Sequence, residues 1–201
     1  MNATDVLDLA RKCFREQSWK PAFDCFRLAD RHEALDATDL DRAARCAYLT
    51  GHDDECIRLL ERAFAAHATD GSVDTAGESA FWLSFTLTMN RGETALAAGW
   101  LARAERLLTP AHRAEHDPVC AAHGLLILGP AIALLMQGDA ALALPALTEA
   151  HHIGLESGHR DLTALSGLGV GQARILLGDP KAGLSILDEV MVSVTSGEVS
   201  Q

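Results

Sequence analysis

The chain has 201 residues, of which 48% are hydrophobic and only 5% aromatic, and its 28 acidic against 17 basic side chains give a formal net charge of -11. That length suits one domain or one continuous solenoid, and a composition dominated by Ala and Leu, poor in β-branched residues, favours closely packed helices over strands. The acidic balance shows no basic patch of the kind that grips a phosphate backbone, so the chain is not expected to bind nucleic acid directly.

The expected helices run over 4–16, 19–32, 38–50, 53–67, 73–90, 93–108, 118–137, 139–157, 160–177 and 180–195. The first apolar positions are broken by Asp5, Asp8 and Arg11, which excludes a signal peptide there. The front is mixed in charge: residues 1–50 carry Arg11, Lys12, Arg15, Lys20, Arg27, Arg31, Arg42 and Arg45, whereas 121–201 carry only Arg160, Arg174 and Lys181. An insertion is expected around 110–118. Thr109-Pro110, Asp117-Pro118 and Asp179-Pro180 each read as an N-cap followed by proline at the first helical position. The apolar run 119–136 contains His123, Gly124, Gly129 and Pro130 and fits the repeat register below better than a membrane span. Pro145 falls inside an expected helix and should kink it or lift its first turn. The five cysteines (Cys13, Cys25, Cys46, Cys56, Cys120) have no CxxC spacing and read as free thiols of a reducing, cytoplasmic compartment.

Self-similarity is the main signal. Gln17, Gly51, Gly92, Gly138 and Gly178 anchor five segments at intervals of 34, 41, 46 and 40 residues. Five residues after each anchor comes a small residue: Ala22, Cys56, Ala97, Ala143, Gly183. Nine after comes a large apolar one (Phe26, Leu60, Leu101, Leu147, Leu187), and twelve after comes Ala29, Ala63, Ala104, Ala150 or Val190. Seven before stand Ala10, Ala44, Phe85, Ala131 and Gly171. A glycine anchor ends one helix in the left-handed conformation. The small residue of the next helix then allows close approach, and the large residue and the later Ala share its inner face. Such hairpins bury their apolar faces only by stacking.

This pattern, clearest in MQGDAALALPALTEA and LLGDPKAGLSILDEV, resembles the tetratricopeptide repeat. The resemblance covers residues 4–195 and implies an all-α, right-handed α-solenoid of about five hairpins, roughly 4–32, 38–67, 73–108, 118–157 and 160–195, in a single domain 1–201. It also implies a concave face lined ten, six, three and two residues before each anchor. Those positions are Leu7, Arg11, Phe14 and Arg15, then Asp41, Arg45, Tyr48 and Leu49, then Trp82, Thr86, Met89 and Asn90. The last two hairpins contribute Leu128, Ile132, Leu135 and Met136, and Leu168, Gln172, Ile175 and Leu176. The first three hairpins thus offer Arg with aromatics, suited to an acidic or carboxylate-bearing peptide. The partner-binding candidates are Arg11, Phe14, Arg15, Arg45, Tyr48, Trp82, Met89 and Asn90. The last two offer a Leu/Met wall that is either core or, as an alternative function, a site for an apolar ligand on Leu128, Ile132, Met136, Leu168 and Gln172.

No constellation points to catalysis, metal or cofactor. His112 and His116 in HRAEH have the i,i+4 spacing of a metal pair but lack a third ligand. His151, His152, Glu156 and His159 cluster at a helix end, where the dipole favours His. Gly167-Leu168-Gly169-Val170-Gly171 has neither the GxGxxG spacing nor a preceding strand. The expectation is a non-enzymatic, cofactor-free module that binds a protein or peptide and does not insert into membranes.

Residues 78–201 carry a narrower likeness. AAGWLARAERLLTP, the run from PAIALLMQGDAALALPALTEA through LLGDPKAGLSILDEVMV, and TSGEVS are similar to the helical-repeat region of actinobacterial LuxR-type transcriptional regulators and of some cyclase-linked signalling proteins. That resemblance implies a regulatory or oligomerising role. The last helix ends in Met191-Val192-Ser193-Val194 with little charge. Its outer face is therefore expected to be covered by further chain or by a second subunit, such as a homodimer partner.

Overall fold

A computed structural model of the chain describes residues 3–108, 120–197 and 199. Every regular element among them is helical: α1 (Ala3–Arg15), α2 (Trp19–His32), α3 (Ala37–Leu49), α4 (Asp53–Thr69), α5 (Val73–Thr86), α6 (Thr94–Leu107), α7 (Ala121–Met136), α8 (Ala140–Ser157), α9 (Arg160–Leu176) and α10 (Pro180–Thr195). The chain divides into two compact units, Met1–Leu107 and Leu108–Gln201. The first holds the hairpins α1–α2, α3–α4 and α5–α6; the second holds α7–α8 and α9–α10.

All five anchors lie in the left-handed region: Gln17 at φ 57°, Gly51 at 75°, Gly92 at 69°, Gly138 at 91° and Gly178 at 88°. Gln17 is the one non-glycine residue with positive φ among the described residues, so the first hairpin makes the same reversal against a Cβ penalty. The repeat positions bury as their spacing requires. Ala22, Cys56, Ala97 and Ala143 are sealed, as are Phe26, Leu60, Leu101 and Leu147, and all of Ala29, Ala63, Ala104, Ala150 and Val190. Close approach between helices is real at the glycines. A Cβ on Gly183 of α10 would stand 2.6 Å from the carbonyl oxygen of Gly171 on α9, and one on Gly154 of α8 would stand 2.8 Å from the backbone nitrogen of Thr163.

Two departures from the expected elements have local causes. The expected helix 73–90 stops being α-helical at Thr86 and continues as a π turn, Leu87–Arg91, before Gly92. Pro145 sits inside α8 and Pro130 inside α7, yet both helices run through. Each ring is exposed, so the amide hydrogen bond it removes lies on the outer side of its helix. Asp179 caps α10 as expected, accepting from Ala182 N at 3.2 Å. The proposed caps at Thr109-Pro110 and Asp117-Pro118, and the His112/His116 pair, lie outside the described residues. No described helix is long and apolar enough to cross a membrane.

Candidate functional site

The first helices of the three hairpins in the first unit carry the predicted partner-binding residues, and the structure gives these residues different surroundings. Arg11 on α1 reaches across to α3. Its Nη2 donates to Asp39 Oδ2 at 2.6 Å and its Nε to the same oxygen at 3.0 Å. Asp39 is fully buried and takes a second guanidinium, Arg42 Nη1, at 2.7 Å on Oδ1. The hydrogen bond from Arg11 to Asp39 raises the Arg11 pKa above its usual value, with the charges of Asp39, Asp36 and Asp8 adding to it against desolvation. Arg11 therefore links two hairpins. Phe14 is half-buried, edge-on to Trp19 at 5.6 Å and to Phe26 at 6.5 Å, and packs on the core of the unit. Trp82 is likewise half-buried, edge-on to Phe81 at 5.2 Å and Phe85 at 5.8 Å.

Arg15, Arg45 and Tyr48 are placed differently. Arg15 is exposed, Arg45 half-exposed and Tyr48 37% exposed. None of the three side chains makes a hydrogen bond or ion pair among the described residues. Burial pushes the Tyr48 phenol above its ordinary value, with Cys56 and Asp53 adding to the shift. Met89 and Asn90 fall on the π turn. Met89 is half-buried, and Asn90 is exposed, its Nδ2 donating to Asp53 Oδ1 at 2.9 Å. The adjacent Arg91 pairs with Asp54.

In the second unit, Leu128 is fully buried and belongs to the core, Ile132 is half-buried, and Met136, Leu168 and Gln172 are exposed. Leu128 faces its neighbours in the hairpin stack, so a ligand would meet Met136, Leu168 and Gln172 and would not reach Leu128.

The remaining polar clusters have structural partners. His159 is the N-cap of α9, its Nδ1 accepting from Leu162 N at 3.1 Å. It thus serves the start of the following helix, where the sequence reading had placed it at the end of the preceding one. His151 Nδ1 lies 3.1 Å from the Thr163 carbonyl oxygen, and His152 pairs with Glu156 at 3.2 Å. Asp41 on α3 receives Ser79 Oγ at 2.9 Å and His67 Nε2 at 2.7 Å. Its own pKa is raised by burial, against the lowering effect of those two bonds. Ser79 and His67 meet different oxygens of one carboxylate, so the imidazole does not take the serine hydroxyl proton directly. Burial drives the Cys46 thiol up to about 12 and that of Cys56 up to about 11, which keeps both protonated and unreactive at neutral pH. Among the described residues no three His, Cys, Asp or Glu side chains converge as a metal site.

The residues the sequence reading missed are acidic. Asp39, Asp53 and Asp54 position Arg11, Asn90 and Arg91. A sequence signal existed for Asp39: Asp36 and Asp39 stand three apart at the start of a helix, and Asp36 Oδ1 caps Asp39 N at 2.7 Å.

No protein-family model matches the chain, and no curated protein matches its sequence. Solved structures do. The chain is similar to a crystallised Podosopora anserina protein of kinesin-light-chain type with nearly identical TPR-like repeats, at 18% identity and a TM-score of 0.56, over 98% of this chain and 97% of that one. A variant of the same protein matches at 16% identity and a TM-score of 0.57, over 97% and 96%. At that identity the likeness establishes the fold alone, an all-α stack of TPR-like helix hairpins.

Proposed function

We propose that the chain is a non-catalytic protein-interaction module, its two units acting together as one helical-repeat module over 1–201. Its first unit holds an acidic or carboxylate-bearing segment of a partner along α1 and α3. The observation that carries this reading is the state of Arg15, Arg45 and Tyr48: accessible, on the first helices of successive hairpins, and with no side-chain hydrogen bond or ion pair among the described residues. Two guanidiniums and a phenol so placed can take carboxylates by charge-assisted hydrogen bonds with an aromatic contact beside them. Arg11 and Phe14, by contrast, shape the face from beneath. The thiols of Cys13, Cys25, Cys46 and Cys56, none of them in a disulfide, support a cytoplasmic setting.

The test is calorimetric titration of the full chain with a Glu-rich peptide ending in a free carboxylate. Binding should weaken as salt is raised. The double variant Arg15→Glu/Arg45→Glu should lose at least tenfold in affinity with its circular dichroism unchanged. Wild-type affinity in that variant overturns the reading.

A narrower form rests on the similarity of residues 78–201 to LuxR-type regulators: occupancy of the module then controls a DNA-binding domain. Co-expression with a candidate LuxR-type DNA-binding domain, followed by operator binding with and without the acidic peptide, tests it. An operator affinity indifferent to the peptide removes it.

A further inference from the structure

Ten residues before the anchor, four of the five hairpins carry a large apolar residue: Leu7, Trp82, Leu128 and Leu168. The second hairpin carries Asp41 there, with Arg45 four residues on. An acidic residue four before a basic one is the helical spacing that favours an ion pair. The pair does not form. Asp41 Oδ2 takes His67 Nε2 of α4 at 2.7 Å, and Oδ1 takes Ser79 Oγ of α5 at 2.9 Å. His67 and Ser79 are both buried, so the carboxylate is held at the joint between the second and third hairpins. Arg45, one turn further along α3, stays half-exposed, with no side-chain hydrogen bond or ion pair among the described residues.

Two bonds do not exhaust that carboxylate. An ionised carboxylate offers about four lone-pair sites to donors. The Asp41 side chain is 37% exposed, so a donor from outside can reach it. A second anion is unwelcome at this place: besides burial, the negative charge of Glu78 on α5 already disfavours the Asp41 carboxylate, and His67 offsets it.

The partner face along α3 therefore has two signs, a cation at Arg45 and an anion one turn before it. The two positions are about 6 Å apart along the helix axis. Residues i and i+2 of an extended segment point the same way and are about 7 Å apart. A carboxylate seated on Arg45 thus brings the residue two away from it over Asp41. A second carboxylate there meets like charge, whereas an ammonium or guanidinium donates to an acceptor that α4 and α5 already hold in place.

We infer that Asp41 is a specificity-determining residue of this face: it selects a Lys or Arg two residues from the acidic residue that Arg45 takes. The partner segment then alternates in charge, acidic-Xaa-basic, in one chain direction. The inference rests on the binding reading given for Arg15, Arg45 and Tyr48.

The probes are four peptides with one neutral host sequence and a single Glu, titrated against the full chain by fluorescence anisotropy. Two carry Lys, two residues after or two before the Glu, and two carry Gln in those places. One of the Lys peptides should bind at least threefold tighter than its Gln counterpart, and the order that does so gives the chain direction. Arg45→Gln should weaken all four. Asp41→Asn removes the charge and keeps both ties, since its amide oxygen can accept from Ser79 and its amide nitrogen can donate to the other tautomer of His67. The Lys gain should vanish in that variant with helicity and melting temperature unchanged. Asp41→Leu, which installs the residue that three other hairpins carry here, is the second variant and should lose the gain as well. Equal binding of Lys and Gln peptides in both orders overturns the inference, as does a Lys gain that survives both substitutions at Asp41. Where the peptides bind through Arg45 without a Lys gain, this inference alone falls; where none binds, the reading it rests on falls with it.

Discussion

The guanidinium of Arg11 closes on the carboxylate of Asp39, at 2.6 Å from Nη2 to Oδ2, and Asp39 has no exposed surface. A buried carboxylate deprived of one of its cations is expensive. Arg42 stays on Oδ1 and the Arg11 side chain is 34% exposed, so the loss is moderated. Arg11→Met, which keeps the apolar stem, should lower the stability of the first unit by about 2 kcal/mol in urea unfolding. A change indistinguishable from zero would show that Arg42 alone satisfies Asp39.

Arg62 donates to Asp30 in a fork, 2.6 Å to Oδ2 and 2.7 Å to Oδ1, tying α4 to α2. That hydrogen bonding holds the Asp30 carboxyl below its ordinary 3.8, with the Leu35 backbone N–H assisting. A depressed folded-state pKa contributes stability above the unfolded value and loses it as pH falls through the folded one. Arg62→Ala should therefore cost about 0.5–1 kcal/mol at pH 7, since the pair is partly solvated. The gap from wild type should close as pH drops below 3.8. A gap constant from pH 7 to pH 2.5 would mean the effect is packing.

Gly183 and Gly99 make opposite predictions for one substitution. A Cβ at Gly183 collides with the Gly171 carbonyl oxygen on a neighbouring backbone, whereas one at Gly99 on α6 meets nothing within 4 Å. Gly183→Ala should destabilise by about 1–3 kcal/mol. Gly99→Ala should stabilise by up to about 1 kcal/mol through helix propensity. Thermal unfolding of the two variants reads both signs.

Gln17 occupies the left-handed turn that glycine fills at the other four anchors. Gln17→Gly should raise stability by up to about 1 kcal/mol, because the relief of Cβ strain exceeds the added unfolded-state entropy. A lower melting temperature would show that the Gln17 side chain has a role its exposure does not suggest.

The hairpins were legible because close packing leaves a spacing. A small residue five after the anchor and an Ala or Val twelve after are buried wherever they occur, from Ala22 to Val190. The π turn at Leu87–Arg91 was not legible, since Leu-Thr-Met-Asn-Arg carries the apolar spacing of an ordinary helix end. At the site, register put Arg11, Arg15 and Arg45 on one kind of position without distinguishing them. The distinction comes from the acidic partner: Asp39 lies 28 residues beyond Arg11, and no periodicity couples residues across two hairpins. Leu128 and Leu168 likewise share a register position, yet one is sealed and the other 41% exposed.

Every second helix starts two residues after its anchor, at Trp19, Asp53, Thr94, Ala140 and Pro180, although successive anchors are 34 to 46 residues apart. The reversals are thus of fixed length and the variation in chain length falls outside them. Sequence can be gained or lost in the joints between hairpins, as after His32 or Thr69, without re-solving the contact inside one. Such a chain can be lengthened, spliced or recombined module by module, with the two-residue step as the part that must be copied intact.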